Sequence, residues 1–352
     1  MLFIHQISCI SPQYTFFQDE VFTDTIDELN QPKENILYAI EPAYDGIPPG
    51  ILRRMGRAVR LGIGAAIPLI FNKTDTPNGI IIGTSMGGME DCVKFLIQII
   101  DYNEGTLTPT NFVQSTPNAI AGQLGLMTKN KGYNITHVHR GFSFENAWLD
   151  AAMMIKENPD HVYLTGAVDE ISHYNHNIER LDGWYKELPC TNAELYNTDS
   201  SGTIAGEGSA MFMVSGQRQN ATASLTGLHF FHTRDESVVA AELKSFLEKH
   251  CKGDKQPDLL LSGENGDSRF LHFYKSCEEI TGAAVPVARF KHLSGEHPTA
   301  VAFACWLACN LLQGRDLPVH MRKNGEPGNI QRILIYNNFK GLQHSFILLD
   351  KV

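Results

Sequence analysis

Apolar and polar positions follow one another along the chain in segments that predict strands and helices in turn. Leu2–Cys9, Gly79–Gly83 and His161–Gly166 are short apolar runs of the kind found in buried strands. Residues 49–70 and 90–100 repeat apolar side chains at helical spacing. This alternation favours an α/β fold, in which helices cover a largely parallel sheet.

A second series of the same kind begins after residue 216. It contains strand patterns at 225–230, 258–261, 285–290, 330–337 and 345–350, and helix patterns at 236–250, 268–281 and 297–312. The two series have a similar order, and no long linker separates them. We therefore predict two related halves, residues 1–215 and 216–352.

The composition is that of an ordinary globular protein, with 43% hydrophobic and 19% charged residues among 352. A formal net charge of −10 argues against a general nucleic-acid surface. The first residues lack the features of a signal peptide, and the longest apolar tract, Ala300–Leu312, is too short to span a bilayer. The seven cysteines are scattered and lack metal-ligand spacing. We expect a cytoplasmic protein that needs no metal or other cofactor and binds neither nucleic acid nor membrane.

The most informative segment is a strand pattern, Tyr133–Val138, that passes through His139–Phe142 into a helix pattern at Ser143–Ile155. A strand that turns sharply into a helix presents its turn residue to a cleft, with the free N–H groups of the helix behind it. Enzymes place a nucleophilic cysteine or serine at such an elbow. Here the turn residue is a glycine. Ser143 lacks a G-x-S-x-G context, so we expect it to cap the helix rather than to act as a nucleophile.

Five segments, in register, carry a family resemblance. They are the glycine turn Ile80–Met89, the segment Thr108–Leu124, the elbow, the strand Val162–Glu170 and the turn Ala205–Ala210. Together they resemble the β-ketoacyl-acyl-carrier-protein synthases, condensing enzymes with the thiolase fold, over almost the whole chain. The resemblance implies a thiolase-like fold: two βαβαβ-type halves in α-β-α-β-α layers.

The chemistry of that family needs a cysteine that accepts the acyl chain and two histidines that assist decarboxylation and stabilise the oxyanion. Counting from both flanks without gaps places Gly141 at the cysteine position. The first histidine position falls on Gly263 or Glu264, in the loop after a strand. The resemblance thus implies a scaffold without its nucleophile and without its first histidine.

The second histidine position is also changed. The family's lysine is retained as Lys291, but Glu296 stands at the histidine position and His297 follows one residue later. Helical side chains one residue apart point about 100° apart, so His297 is not a simple substitute. We predict that Lys291 pairs with Glu296 in the former site, with Glu264 as a further member, because a buried carboxylate without a partner is costly.

Several ring side chains are candidates for the pocket wall. Phe142 and Phe144 flank the elbow, where they either pack in the core or plug an acyl channel. For His139, a role in packing or hydrogen bonding is a simpler interpretation than a role in catalysis. Phe339 lies in the final loop, Asn337–His344, which has lost glycines that let the family's backbone approach its substrate.

The resemblance implies a non-condensing subunit like the chain-length factors. These homologues lack the cysteine, pair with an active synthase and shape the product tunnel. It implies an acyl carrier protein as a partner, with an active synthase or a second copy of the chain as the other, in fatty acid or polyketide-type synthesis such as an aryl polyene pathway. The basic run at Arg53, Arg54, Arg57 and Arg60 either attracts the acidic carrier or forms structural ion pairs.

Two alternatives stay open at this point. One is an enzyme that retains acyl transfer or malonyl decarboxylation through Glu264, Glu296, His297 or Lys291, since decarboxylation needs oxyanion stabilisation rather than a covalent cysteine. The other is an acyl-binding module without a synthase partner.

Overall fold

The computed structural model describes residues 1–17, 20–70, 76–107, 109–251 and 256–352. The strands are β1 Leu2–Ile10, β2 Ile36–Leu37, β3 Gly79–Gly83, β4 Tyr133–His137, β5 Val162–Asp169, β6 Ala205–Gly206, β7 Gly208–Ser215, β8 Ala223–His232, β9 Leu259–Ser262, β10 Val287–Arg289, β11 Arg322–Asn324, β12 Arg332–Phe339 and β13 Gln343–Lys351. The helices are α1 Pro49–Leu52, α2 Arg57–Ile70, α3 Met89–Asp101, α4 Pro109–Gln114, α5 Ala119–Thr128, α6 Ser143–Glu157, α7 His173–Leu181, α8 Glu236–His250, α9 Leu271–Thr281, α10 Lys291–Ser294 and α11 Val301–Leu312. Thr108, which begins one of the segments that carry the family resemblance, lies outside the described residues.

The two halves repeat one strand order. In the first half the sheet runs β1-β7-β5-β3-β4, and in the second it runs β8-β13-β12-β9-β10. If only these five strands of each half are numbered in chain order, each half places its first strand beside its fifth, and its fourth beside its second. The pairings also match in direction, since the outer strands β3 and β4 are parallel, as are β9 and β10. This repetition supports a boundary at residues 215 and 216, which we retain as a proposal.

The halves join through their first strands. Residues 2–4 of β1 pair antiparallel with residues 223–225 of β8, so eleven of the thirteen described strands form one continuous sheet. Strands β2 and β6 form a separate two-stranded parallel sheet. Strand β4 lies at one end of the eleven-stranded sheet and β11 at the other.

Helices cover the sheet in the predicted layers. Helices α2 and α5 pack on the outer side of the first half, and α8 and α9 on the outer side of the second. Helices α6 and α11 lie between the halves, where α6 contacts β3 and α11 contacts both β7 and β12. Helix α11 is apolar around almost its whole circumference, as a helix in a central layer must be. The α-β-α-β-α architecture implied by the family resemblance is confirmed. The prediction of a largely parallel sheet is wrong, because six of the ten described strand pairings in the large sheet are antiparallel and four are parallel.

One helix prediction is wrong. The pattern at residues 49–70 gives two helices, α1 and α2, because the chain turns at Arg53–Gly56. The turn brings Gly56 against the Asp91 carboxylate, which a larger residue at this position would have to displace. Within the described residues, the structure contains no helix with the length and apolarity needed to cross a bilayer.

Candidate functional site

The elbow has the sharp geometry that the sequence predicts. Strand β4 ends at His137, residues Arg140–Phe142 form a single 3-10 turn, and α6 begins at Ser143. Arg140 has a φ of +51°, a conformation that side chains other than glycine rarely adopt. Gly141, immediately after it, is buried.

Ser143 does not cap α6, so that prediction is wrong. Its hydroxyl accepts a hydrogen bond from the His139 backbone N–H at 2.8 Å and donates one to the Arg140 carbonyl at 2.9 Å. The serine is the first residue inside the helix, so its oxygen reaches backward to the turn instead of forward to the helical N–H groups. Ser143 is fully buried and holds the elbow closed.

The space beside Gly141 is filled by the second half of the chain. A Cβ added at Gly141 would lie 2.7 Å from the Phe339 Cβ and 2.9 Å from the Gln343 Oε1. The Gly141 backbone N–H donates to that same Gln343 oxygen at 2.9 Å. Because the Phe339 Cβ is fixed to the backbone of β12, it cannot move aside as the end of a flexible side chain can. The elbow therefore has no room for a nucleophile.

A cavity of about 540 Å³ opens next to the elbow. Arg140, Glu296, His297 and Phe339 line it, whereas Gly141 does not. Its described lining residues include no cysteine, so neither Cys190 nor Cys305 takes the place of the missing thiol. The wall also carries Asp169, Glu170, Glu179, Asp182 and Lys340. Apolar side chains complete the lining, among them Met89, Ile178 and Leu181, so charged and apolar groups share the cavity wall.

Lys291 and Glu296 form the ion pair predicted from the sequence. Both side chains are buried, and the Lys291 Nζ lies 2.7 Å from the Glu296 Oε1. The Asn265 Nδ2 donates to the second carboxylate oxygen, Oε2, at 2.9 Å. Burial lowers the pKa of Lys291 and raises the pKa of Glu296, while the bonds between the two groups oppose both shifts. The pair supplies its own counter-charge.

Glu264 does not belong to this pair, which corrects the sequence interpretation. Its carboxylate binds the Arg289 Nη1 at 3.1 Å and the Lys323 Nζ at 2.6 Å, away from the cavity. The loop after β9 turns at Gly263, where an added Cβ would lie 2.5 Å from the Asn337 side chain. Beyond this turn Glu264 faces β10 and β11, and Asn265 is the loop residue that reaches Glu296.

His297 does line the cavity, next to Glu296. Its Nδ1 is buried and has no hydrogen-bond partner within the described residues. Burial, followed by the charge of Lys291, lowers the pKa of His297 to about 3. The imidazole is thus neutral at physiological pH.

The ring candidates divide between the core and the cavity. Phe144 packs against Trp148 and Phe212 in the core, and Phe142 lies against Phe230 and His232. His139 accepts a hydrogen bond from Asn146 and packs on Phe142. Of these candidates only Phe339 lines the cavity.

Glu145 is a buried carboxylate that the sequence analysis did not single out. It lies in the first turn of α6, with no exposed surface, and burial raises its pKa to about 7. Neither carboxylate oxygen has a hydrogen-bond partner within the described residues, and the nearby Ser345 hydroxyl and Lys291 charge only partly oppose the rise in pKa. The one feature of the sequence that points to the burial of Glu145 is its position among apolar residues of the helix pattern.

Comparison with known proteins identifies the family. The family model described as beta-ketoacyl synthase, N-terminal domain, matches residues 29–245. The chain therefore belongs to the beta-ketoacyl synthase family. No curated protein matches the sequence.

Solved structures match over the whole chain at low identity. A beta-ketoacyl synthase from Burkholderia phymatum STM815 is 14% identical with a TM-score of 0.74, covering 100% of this chain and 99% of that one. The ketosynthase ApeO in complex with its chain length factor ApeC, from Xenorhabdus doucetiae, is 14% identical with a TM-score of 0.75, covering 100% and 98%. The ishigamide ketosynthase/chain length factor is 12% identical with a TM-score of 0.76, covering 100% and 99%. These similarities establish the thiolase-like ketosynthase fold.

Proposed function

We propose that this chain is a non-condensing, chain-length-factor-like subunit that pairs with an active β-ketoacyl synthase. The observation that carries the proposal is the closed elbow, where Gly141 replaces the nucleophile and Phe339 and Gln343 occupy the adjacent space. Without a thiolate at the elbow no thioester forms there, and groups that act as a unit in catalysis fail together. The similarity to ketosynthase/chain length factor structures supports the same role.

A free sheet edge supports a dimer. Within the described residues β4 pairs only with β3, so its other edge offers unpaired backbone groups to a partner strand. Exposed apolar side chains lie just beyond this strand and on the neighbouring helix α6: Val138, Leu149 and Met153. Single exposed apolar residues are ordinary, but an apolar group next to an open strand edge is typical of an interface.

Helix α3 supports a partner as well. Seven of its thirteen residues are aliphatic, aromatic or methionine, yet none is buried in this chain. Ile100 is 75% exposed, and Phe112 and Val113 of the adjacent α4 are more than half exposed. An apolar helix in water is costly, and a second subunit would cover it. A synthase or a second copy of this chain fits such a surface.

Part of the basic run is available for an acyl carrier protein. Arg57 forms ion pairs with Glu41 and Glu207, and Arg60 pairs with Glu41 at 2.8 Å, so these two have structural roles. Arg53 and Arg54 are exposed at the end of α1. On a chain with a net charge of −10, they form a local positive site for an acidic carrier.

We assign the pair to fatty acid or polyketide-type synthesis, with an aryl polyene pathway as the particular case, and to the cytoplasm. All seven cysteines are unpaired, which supports a reducing compartment. The pathway rests on likeness of fold.

The test is co-expression of this chain with a β-ketoacyl synthase from the same organism that retains the catalytic cysteine. We expect a one-to-one heterodimer on size-exclusion chromatography with light scattering, and condensation only when the synthase is present. Condensation of malonyl-carrier protein with an acyl primer by this chain alone would refute the proposal. A stable homodimer of this chain that does not bind the synthase would refute the proposed heterodimer.

A second candidate function, malonyl decarboxylation, is favoured by one observation. Glu296 and His297 line the same cavity, and the His297 Nδ1 has no partner within the described residues. Carbon dioxide release from malonyl-carrier protein, lost in Glu296→Ala but retained in Asp182→Ala on the cavity rim, would establish it. Equal background release from all three proteins would exclude it.

A further inference from the structure

The side chain of Gln343 binds the elbow from the opposite half of the protein. Its Oε1 accepts from the Gly141 N–H at 2.9 Å, and its Nε2 lies 3.4 Å from the His139 carbonyl and 3.2 Å from the His232 Nε2. The Gly141 N–H can only donate and the His139 carbonyl can only accept. These partners therefore fix which end of the amide faces which group.

The hairpin between β12 and β13 determines where Gln343 lies. The Asn338 Oδ1 accepts from the Gly341 N–H at 2.7 Å, and the Leu342 N–H donates to the Phe339 carbonyl at 3.2 Å. Lys340 and Gly341 both have positive φ, which makes the turn tight. One short hairpin thus delivers both the ring that fills the space beside Gly141 and the amide that binds its N–H.

A free N–H at the start of a helix is a ready site for a carbonyl oxygen or an oxyanion. At this elbow a protein carbonyl already occupies it. We propose that Gln343 is an internal carbonyl ligand, which keeps acyl carbonyl groups from the Gly141 N–H independently of the missing thiol. The inference deepens the proposed function: the elbow is closed twice, once by the loss of a nucleophile and once by an internal ligand.

The side-chain amide of Gln343 is the group that a ligand would have to displace at the elbow. A carbonyl-bearing ligand must displace the Gln343 oxygen before it can reach Gly141. Displacing the whole Gln343 side chain would also break the contacts of its Nε2 with the His139 carbonyl and the His232 Nε2. The hairpin gives Gln343 the advantage of preorganisation, because its position is fixed before any ligand arrives.

Amide hydrogen exchange at Gly141, followed by NMR on the full chain, tests this directly. Gln343→Met keeps the size of the side chain and removes its carbonyl. We expect the Gly141 amide to exchange roughly tenfold faster in this variant, as for the loss of one hydrogen bond. Gln13→Met is the matched control, because Gln13 is also buried and also binds backbone groups, at Asn30 and Leu293. It should leave Gly141 unchanged.

Unchanged exchange at Gly141 in a folded Gln343→Met protein would overturn the proposal. If that variant does not fold, a crystal structure of the unaltered chain decides. A Gln343 oxygen within hydrogen-bond distance of the Gly141 nitrogen supports the proposal, and a water molecule in that position contradicts it. Neither result depends on whether a synthase binds, so this inference and the proposed function fail separately.

Discussion

The two ends of helix α6 have opposite properties. Its first turn lies behind the elbow, where Gly141, Ser143 and Glu145 are buried and the space is filled from the other half of the chain. Further along the same helix Leu149 and Met153 are 42% and 59% exposed, next to the open edge of β4. A condensing-enzyme scaffold has thus been closed where chemistry would occur and left open where a partner would bind. Interaction surface and active site can be lost or kept independently on one fold.

The largest expected effect breaks the charge pair on the closed side. Lys291→Met leaves Glu296 buried without its cation, and we expect this to lower the free energy of unfolding by about 3–5 kcal/mol. The double variant Lys291→Met/Glu296→Leu should recover most of the loss, because it removes both buried charges. Urea denaturation measures both. A single variant within about 1 kcal/mol of the wild type would show that the pair is not structurally important.

Glu145 provides a pH-dependent test of the same end. Its folded pKa, raised by burial to about 7, lies above its unfolded value of 4.5. The unfolded chain therefore loses this proton first, and the stability that the protonated carboxyl provides is lost as the pH rises through 7. Glu145→Gln cannot ionise, so we expect it to be more stable than the wild type by about 3 kcal/mol at pH 9, and nearly equal at pH 4.5. A pH-independent difference between the two proteins would contradict the raised pKa.

Overpacking the elbow should have a smaller effect. Gly141→Ala places a methyl group against Phe339, and we expect a loss of about 1–3 kcal/mol in the free energy of unfolding. Combination with Phe339→Gly removes the Cβ that the methyl group meets, so the double variant should lose less than the sum of the two single losses. Additive losses in this double-mutant cycle would mean that the two residues do not meet.

The smallest effect on stability is expected on the open side. Leu149→Asp and Met153→Asp should change the stability of the isolated chain by less than about 0.5 kcal/mol. The same substitutions should weaken binding of the synthase at least tenfold. Val238→Asp, on the outer helix α8, is a matched control for an exposed apolar position. Full binding by the Leu149 and Met153 variants would place the interface elsewhere.

The sequence predicts well what depends on local patterns. The alternation of strands and helices and the sharp elbow with its glycine follow from runs of apolar residues and from segment order, and the structure confirms them. The five layers were implied by the family resemblance, and the structure confirms these too. The Lys291–Glu296 pair could be predicted because the two residues are five positions apart on one short segment, and the structure confirms it.

Long-range contacts account for what the sequence does not predict. Gln343 is 202 residues from Gly141, and Asn265 is 31 residues from Glu296, so no local pattern links either pair. The loss of glycines in the loop Asn337–His344 was the one available signal for Gln343. The prediction that Glu264 joins the Lys291–Glu296 pair is wrong because a shift of one residue in the loop turn decides whether Glu264 or Asn265 faces Glu296. The prediction that Ser143 caps the helix is wrong because the groups that its hydroxyl can reach depend on the residue at which the helix begins. Sequence patterns fix that residue only to within one or two positions.

The most direct measurement is the intact mass of each subunit of the purified pair after exposure to an octanoyl thioester of the carrier protein. We expect one octanoyl group on the synthase and none on this chain. An octanoyl adduct on this chain, at any residue of the cavity beside Gly141, would contradict the proposal that this subunit does not take part in condensation.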